Sequence, residues 1–221
     1  LGFAMQLMDQ RPGQSGATDF LKSALSEVEK AWLEACLAVR PEDMLERHRY
    51  SLPEWLDTAL RAQFSDSAEF QAMAQSLLQA APLDLRVNTY SDRREDVQKE
   101  LQLIGLETRL TPHSPWGLRL SGKPALTRTD AFARGAIEVQ DEGSQLLAAL
   151  LEAKRGEMVV DFCAGAGGKT LALGALMRST GRLYAFDTSA HRLDALKPRL
   201  ARSKLSNVHP AVIAHERDER I

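Results

Sequence analysis

The sequence predicts an α/β fold built on a parallel sheet of Rossmann type, preceded by a small α+β unit and a helical region. Three observations support this prediction. From about residue 126 short apolar runs alternate with helical patterns, as in the strand–helix–strand units of a parallel sheet. Residues 81–125 have the order strand, helix, strand, strand, which indicates a small α+β unit. Residues 1–80 contain helical patterns. We therefore expect three segments, of which residues 126–221 form the first half of the Rossmann-like domain.

The helical region contains three predicted helices. In DFLKSALSEVEKAWLEACLAV apolar residues recur at three- and four-residue steps, and Thr18 or Asp19 is expected to cap the helix. The segments SLPEW and SAEFQAMAQSLLQA predict two more helices. Trp32 and Trp55 are expected to anchor the core of this region.

The α+β segment begins with LDLRVNT, whose alternation of apolar and polar residues is typical of a half-buried strand. A helix is predicted over SDRREDVQKELQLIG, capped by Ser91 or Asp92 and ended by Gly105. Two further short strands, ETRLTP and WGLRLSG, flank a Pro-Trp-Gly turn.

The third segment alternates strands and helices. AIEVQ is a predicted strand, and SQLLAALLEA is a helix that Ser144 is expected to cap. EMVVDFC is a short apolar run of the buried parallel-strand type, and RLYAFDTS and HPAVIAH are the next two strands. Between these two strands lies the helical segment AHRLDALKPRLARSK, in which Pro198 is expected to cause a kink or a break.

The loop DFCAGAGGKT, residues 161–170, raises the question of which ligand it holds. Its Gly-Lys-Thr ending is that of a phosphate-binding P-loop, but the first glycine of that motif would fall on Cys163. Cysteine adopts the required unusual backbone conformation poorly, so a triphosphate site is not favoured.

A different ligand fits the loop better. Gly165, Gly167 and Gly168 let the backbone approach a bound molecule and open a helix whose N-terminus favours negative charge. Asp187 ends the next strand about 20 residues further on, a position that suits hydrogen bonds to ribose hydroxyls. A dinucleotide or S-adenosylmethionine would satisfy this arrangement. The pattern G-x-G-x-x-G is not met, which disfavours the dinucleotide.

Several segments resemble one known family. VVDFCAGAGGKTLALGALM resembles the cofactor loop of the RsmB/Sun family of RNA cytosine-C5 methyltransferases, whose usual form is D-x-C-A-A-P-G-G-K-T. IEVQDEGSQLL is similar to the V-Q-D-E-x-S-Q segment of that family, PLDLRVNT to its opening strand and TPHSPWGLRL to a later strand pair. The resemblance covers about residues 82–213. It implies a Rossmann-like S-adenosylmethionine-dependent methyltransferase fold, with residues 81–125 as an RRM-like RNA-binding module.

The chain departs from that family pattern at Gly165 and Ala166, where Ala-Pro is usual. Loss of the proline is expected to loosen the loop without abolishing binding.

The resemblance also implies roles for single residues. The loop backbone contacts the methionine part of the cofactor, Asp187 binds the ribose, and Lys169 and Arg192 support the cofactor carboxylate or the loop. Asp161 orients the loop or meets the cofactor amine, and Asp218 lies near the adenine. Ordinary structural roles stay open for Lys169 and Arg192 as solvated charges and for Asp187 as a helix cap. The predicted cofactor-binding set is Asp161, Ala164, Gly165, Ala166, Gly167, Gly168, Lys169, Asp187, Arg192 and Asp218.

No residue of this chain is assigned a catalytic role. Methylation of cytosine C5 needs a cysteine thiolate that attacks C6 and a second group that removes the C5 proton. The family places its cysteines in P-C-S and T-C-S segments, and the sequence reaches Ile221 before either. Cys163 and Cys36 are expected to be buried packing residues, and these 221 residues alone are expected to be inactive. The alternative is a non-catalytic RNA-binding or assembly protein on a degenerate methyltransferase scaffold.

The resemblance implies an RNA partner, with ribosomal RNA expected and transfer RNA less favoured. Five arginines could track phosphates, although a scattered solvated surface explains them equally well: Arg86, Arg93, Arg94, Arg128 and Arg134. The basic residues in the helix of residues 191–204 are more typical of an exposed helix face. That set is Arg192, Lys197, Arg199, Arg202 and Lys204.

Composition is that of an ordinary globular protein, with 44% hydrophobic and 26% charged residues and a net charge of -2. No apolar run approaches the roughly 20 residues that cross a bilayer. Two distant cysteines do not make a zinc site. We therefore expect a cytoplasmic protein that neither binds a metal nor contacts a membrane. A monomer is the working expectation, although nothing in the sequence determines the oligomeric state.

Overall fold

A computed structural model describes residues 23–221 of the chain. The chain divides into two compact units, one ending at Ala80 and the other comprising Ala81–Ile221. The described helices of the first unit are α1 (Glu27–Ala38), α2 (Glu46–Arg49), α3 (Glu54–Arg61) and α4 (Ser67–Leu77).

Helix α1 begins after Ser26, whose side chain accepts from the backbone N–H of Glu29 while the Glu29 carboxylate accepts from the Ser26 N–H. This reciprocal capping box satisfies two of the amides that a helix start leaves unpaired. The predicted caps Thr18 and Asp19 lie outside the described residues.

The core of the first unit forms around Phe70, which is 1% exposed and contacts the rings of Tyr50 and Phe64 edge-on. The expectation that Trp32 and Trp55 anchor this core is wrong, since their exposed fractions are 51% and 71%. In α1 the buried residue is Leu33, one position further along the chain, so the inward face is rotated away from Trp32.

The second unit begins with a four-stranded antiparallel sheet. Its strands are β1 (Leu83–Val87), β2 (Thr108–Leu110), β3 (Gly117–Leu120) and β4 (Ile137–Val139), in the order β2-β3-β1-β4. We call it the small sheet. Helix α5 (Arg94–Leu103) buries Val97 and Leu101 in the same core as Leu85 of β1. Arg93, rather than Ser91 or Asp92, is the N-cap residue of α5, and Gly105 follows the helix with a φ of 78°.

Strand β4 was expected in the third segment, yet it pairs with β1 so that Glu138 lies opposite Arg86. The border at residues 125 and 126 therefore does not separate the two sheets. The division into three functional segments stays a prediction. A short helix, α6 (Asp130–Ala133), precedes β4.

The rest of the second unit has the predicted alternation of strands and helices. Helix α7 (Glu142–Leu150) leads to β5 (Met158–Asp161), α8 (Gly168–Leu176), β6 (Arg182–Asp187), α9 (Ala190–Ser203) and β7 (Val208–Val212). The three strands are parallel, in the order β5-β6-β7, which confirms a Rossmann-like α/β arrangement.

Three details of this part differ from expectation. Asp141, not Ser144, caps α7, because its carboxylate accepts from the Ser144 N–H. Strand β5 is not fully buried, since it is an edge of the described sheet and Met158 is 73% exposed. Helix α9 continues through Pro198, an exposed residue, as far as Ser203.

Candidate functional site

A glycine turn links the end of β5 to the start of α8 and lies beside the end of β6. The Gly167 N–H donates to the Ala164 carbonyl at 2.8 Å and closes the turn. Gly165 and Gly167 have φ values of 54° and 82°, in the left-handed region that glycine adopts without strain. The Ala164 N–H donates to the Phe186 carbonyl at 2.8 Å, which fixes the turn to β6. We call residues 164–168 the glycine turn.

Close packing also requires glycine at position 167. A Cβ atom there would lie 2.1 Å from Cδ1 of Leu196, on α9. Helix α9 thus packs directly beneath the turn. Helix α8 then starts with Gly167 as N-cap and without a side-chain cap, so its first amides are free to bind a ligand.

Asp187 occupies the end of β6 and is 6% exposed. Its Oδ2 accepts from the Gly165 N–H and its Oδ1 from the Ser189 N–H, each at 2.8 Å. The hydrogen bonds from Ser189 and Gly165 and the charge of Arg192 lower the pKa of Asp187, although burial raises it. The carboxylate is therefore ionised at neutral pH, and its oxygens can accept further hydrogen bonds.

The alternative role of Asp187 as the cap of α9 does not hold, because Ser189 occupies that position. The Ser189 side chain accepts from the Arg192 N–H at the start of the helix. Asp187 instead connects the helix start to the glycine turn.

A cavity of about 440 Å³ opens next to the turn. Two carboxylates, Asp141 and Asp161, and the exposed side chain of Lys169 line it. Asp161 Oδ2 accepts from the Thr170 hydroxyl at 2.6 Å, which leaves its other oxygen available. Charges of both signs around one cavity suit a ligand that carries both an ammonium and a carboxylate. The full lining is Gln140, Asp141, Ser144, Asp161, Cys163, Ala164, Gly168 and Lys169.

The sequence did not predict that Gln140, Asp141 and Ser144 line this cavity, although the segment VQDEGSQ contains all three. The expectation that Cys163 is buried is wrong. The residue is exposed and lines the cavity, because β5 ends at Asp161 and Cys163 lies past the sheet.

Arg192 and Asp218 lie at the margins of this arrangement. Arg192 is exposed, and its charge acts on Asp187. Asp218 accepts from the Ala214 N–H at 2.7 Å and from the Arg220 side chain, within the loop after β7. The hydrogen bond from Arg220 lowers the pKa of Asp218. The cavity beside Asp218 is lined by residues 215 and 217–220 and by none of the residues that line the cavity next to the glycine turn. A role of Asp218 near the adenine therefore stays a prediction.

The five arginines predicted to bind RNA have very different surroundings. Arg86 is 2% exposed in β1 and donates to Gln140 Oε1 at 2.6 Å, so the prediction that it contacts phosphates is wrong. Burial lowers the pKa of Arg86 to about 10. Arg134 donates to Glu100 and Asp92, and Arg94 donates to the Ser114 carbonyl. The two that are exposed are Arg93 and Arg128.

Within residues 23–221, no group of three or more His, Cys, Asp and Glu side chains is placed to hold a metal ion. No helix in this described part of the chain has both the length and the apolar character needed to cross a membrane.

Two family models match separate stretches of the chain. Residues 52–127 match the ferredoxin-like domain of RsmF/B-like methyltransferases, and residues 148–219 match the 16S rRNA methyltransferase RsmB/F model. A probable ribosomal RNA small subunit methyltransferase B of Synechocystis is 35% identical over 161 residues, which are 72% of this chain and 36% of that protein. The ribosomal RNA small subunit methyltransferase B of Pseudomonas syringae is 34% identical over 70% of this chain and 34% of its own length.

A solved structure agrees with these sequence relatives. The methyltransferase homologue protein from Pyrococcus horikoshii superposes with a TM-score of 0.69 and 28% identity, over 80% of this chain and 57% of that one. The parallel sheet with its glycine turn thus defines a Rossmann-like fold of the S-adenosylmethionine-dependent methyltransferase class. More narrowly, the chain belongs to the RsmB/Sun family, and residues 81–127 lie in its ferredoxin-like module. It spans about a third of the length of the curated relatives described here.

Proposed function

We propose that this chain binds S-adenosylmethionine at the glycine turn and serves as the cofactor-binding part of an enzyme that methylates C5 of a cytosine in ribosomal RNA. The observation that carries the proposal is the ionised Asp187 carboxylate at the end of β6, whose Oδ2 accepts from the Gly165 N–H at 2.8 Å. Similarity to small-subunit rRNA methyltransferases supports ribosomal RNA as the substrate, ahead of transfer RNA.

The adenosine end of the cofactor fits the side of the turn nearest β6. Asp187 is fixed by two backbone amides, and its oxygens can accept further hydrogen bonds from the ribose hydroxyls. Because the carboxylate is already oriented, little conformational entropy is lost when the ribose binds.

The amino-acid end of the cofactor fits the cavity beside the turn. Asp161 and Asp141 can accept hydrogen bonds from its ammonium. Lys169 and the first amides of α8 can hold its carboxylate, since the positive end of the helix favours an anion. In this arrangement S-adenosylmethionine supplies a methyl group bonded to a positively charged sulfur.

The chemistry at the base needs groups that we do not assign to this chain. Attack on cytosine C6 requires a thiolate, and the C5 proton must then be removed. Cys36 lies on α1 in the helical unit. Cys163 lines the cavity that we assign to the amino-acid end, and we assign it no role at the base. We therefore propose that residues 1–221 bind cofactor without turnover.

In this proposal the exposed arginines Arg93 and Arg128 contact the RNA. The phosphate backbone supplies most of the affinity of such a surface, and it makes binding salt-dependent. A cytoplasmic location and a monomeric state remain part of the proposal.

Titration calorimetry with S-adenosylhomocysteine tests the cofactor site. We expect saturable heat for the chain, none for Asp187→Ala, and none when ATP replaces the ligand. Absence of heat with a chain shown to be folded by circular dichroism overturns the cofactor proposal.

Methyl transfer tests the reaction. The full-length protein, small-subunit rRNA and a cofactor with a tritiated methyl group should give labelled 5-methylcytosine, identified by mass spectrometry of nucleosides. RNA binding without any labelled base supports the alternative of a non-catalytic binding protein. Labelled base produced by residues 1–221 alone contradicts our account of the nucleophile.

A further inference from the structure

Helix α9 is held against the small sheet by a buried carboxylate. Glu138 of β4 is 5% exposed and accepts from Arg199 Nε and Arg202 Nη2, both at 2.9 Å. The expectation that these arginines belong to an exposed basic face is wrong, because their side chains are 21% and 22% exposed. The two ion pairs bind the second half of α9 to β4.

A second contact fixes the end of the same helix. Asn88 Nδ2, just after β1, donates to the carbonyls of Gly135 and Ser203 at 3.1 and 3.2 Å. Gly135 has a φ of 74°, and a Cβ there would lie 2.3 Å from the Arg202 carbonyl oxygen. The small sheet and α9 are therefore in backbone contact at this point.

Helix α9 also contacts the glycine turn. Arg199 Nη1 donates to the Ala166 carbonyl at 2.6 Å, on the same helix face from which Leu196 packs against Gly167. One guanidinium thus bonds to the small sheet through Nε and to the turn through Nη1. Its plane is set by Glu138, since Nε and Nη2 both lie 2.9 Å from the same carboxylate oxygen.

The hydrogen bond from Arg199 to the Ala166 carbonyl has a charged donor. A hydrogen bond from a charged donor is stronger than a neutral one. Arginine presents several donors in a rigid fork, whereas lysine has one flexible ammonium and cannot span both partners in the same way. Arg202 shares the carboxylate of Glu138 but has no hydrogen bond to the turn among those of the described residues.

We propose that Arg199 is a positioning residue for the glycine turn. Oriented by Glu138 of the small sheet, it holds the Ala166 carbonyl and so fixes the backbone on which the cofactor binds. Cofactor affinity then depends on the attachment of the small sheet to α9. This inference rests on the proposed function in one respect only, that the turn binds cofactor.

Hydrogen exchange of the ligand-free chain tests the positioning role without any cofactor. The reporters are the Gly165 and Gly167 amides, both of which are hydrogen-bonded. We expect Arg199→Ala to speed their exchange by about tenfold or more, because a hydrogen bond from a charged donor is worth at least about that factor, while the matched control Arg202→Ala changes it less than about twofold. Equal exchange in wild type and Arg199→Ala overturns the proposal, as does an equal effect of Arg202→Ala.

Calorimetry with S-adenosylhomocysteine gives the functional readout. Arg199→Ala should weaken binding roughly tenfold and Arg202→Ala by less than about twofold, even if both lower the melting temperature alike. If Arg199→Ala does not fold, Arg199→Lys keeps the charge beside Glu138 and should show the same loss of affinity. If wild type binds no ligand, the proposed function fails, and the exchange comparison still decides the role of Arg199.

Discussion

The Asp187 carboxylate accepts a hydrogen bond from the Gly165 N–H at 2.8 Å, across 22 positions of sequence. The acid at the end of β6 and the glycine turn after β5 are therefore directly joined. A second bond, from the Ser189 N–H, fixes the other carboxylate oxygen. These two hydrogen bonds set the orientation of the carboxylate.

Replacing Asp187 by Asn should impair both stability and binding. The amide nitrogen of Asn places a donor opposite either the Gly165 or the Ser189 N–H, and that backbone donor loses its partner. We expect a loss of about 1–3 kcal/mol in unfolding free energy, measured by urea denaturation, and no detectable S-adenosylhomocysteine binding by calorimetry. Asp194→Asn, the same change at an exposed acid of α9, should leave both unchanged. Normal binding by Asp187→Asn contradicts the assigned role.

Stability should depend on pH through Asp187. Hydrogen bonds from Ser189 and Gly165 hold its pKa below the ordinary value of 3.8, so folding favours the ionised form. The ionised Asp187 carboxylate therefore contributes to the free energy of unfolding. This contribution is fully present above the ordinary pKa and is lost as the pH falls through the lower pKa of the folded state. The difference in melting temperature between wild type and Asp187→Asn should therefore shrink as the pH falls below about 4. A difference that stays constant over that range is inconsistent with the assignment.

A proline at position 166 should stabilise the turn. Ala166 lies between Gly165, with φ of 54°, and Gly167, whose N–H closes the turn, and the hydrogen bonds of the described residues include none from its own N–H. Ala166→Pro should add about 0.4–1 kcal/mol to the unfolding free energy, because it restricts the unfolded chain. Gly165→Ala should instead cost about 1–2 kcal/mol, since its backbone is left-handed.

A proline at position 166 and the Arg199 side chain both restrain the backbone of residue 166. In the Ala166→Pro background, Arg199→Ala should weaken S-adenosylhomocysteine binding less than it does in wild type. A double-mutant cycle by calorimetry measures this coupling. Strictly additive effects would show that the two restraints are independent.

Lys169 should contribute to binding and not to stability. It is exposed in the first turn of α8 and lines the cavity beside Asp161. Lys169→Met should weaken S-adenosylhomocysteine binding roughly tenfold while changing stability by less than about 0.5 kcal/mol. Lys197→Met, an exposed lysine of α9, is the matched control and should change neither. Unaltered affinity in Lys169→Met would make this lysine an ordinary solvated charge.

The predicted RNA arginines should separate into two classes. Arg86→Met leaves Gln140 Oε1 without its donor inside the protein and should lower stability by about 1–3 kcal/mol. Arg93→Ala and Arg128→Ala remove exposed charges, so the melting temperature should hold while affinity for small-subunit rRNA falls. Filter binding at several salt concentrations should show a salt dependence reduced by roughly one phosphate contact per arginine. An unchanged salt dependence in both variants would show that Arg93 and Arg128 do not contact the RNA phosphates.

Local sequence patterns predicted much of this architecture. The alternation in LDLRVNT and the apolar runs around DFCAGAGGKT and FDTS predicted the positions of β1, β5 and β6, because strand and helix periodicities lie in adjacent residues. The expectation that β1 is half-buried is wrong, since its polar residues Asp84 and Arg86 are buried as well. The sequence also predicted a turn at Gly165 and Gly167, since few other residues adopt the left-handed backbone conformation found there. The loop and the acid that make up the candidate site were thus visible in the chain itself.

What the sequence alone determined about this protein is therefore its strands, its longer helices and the two ends of its candidate site. The tertiary structure decided which residues meet: β4 joins the small sheet, Arg86 is buried, and Glu138 orients Arg199, 61 positions away, against the glycine turn. The physical reason is that burial and ion pairing depend on partners brought together by sheet register and helix packing. No periodicity along the chain encodes these partners.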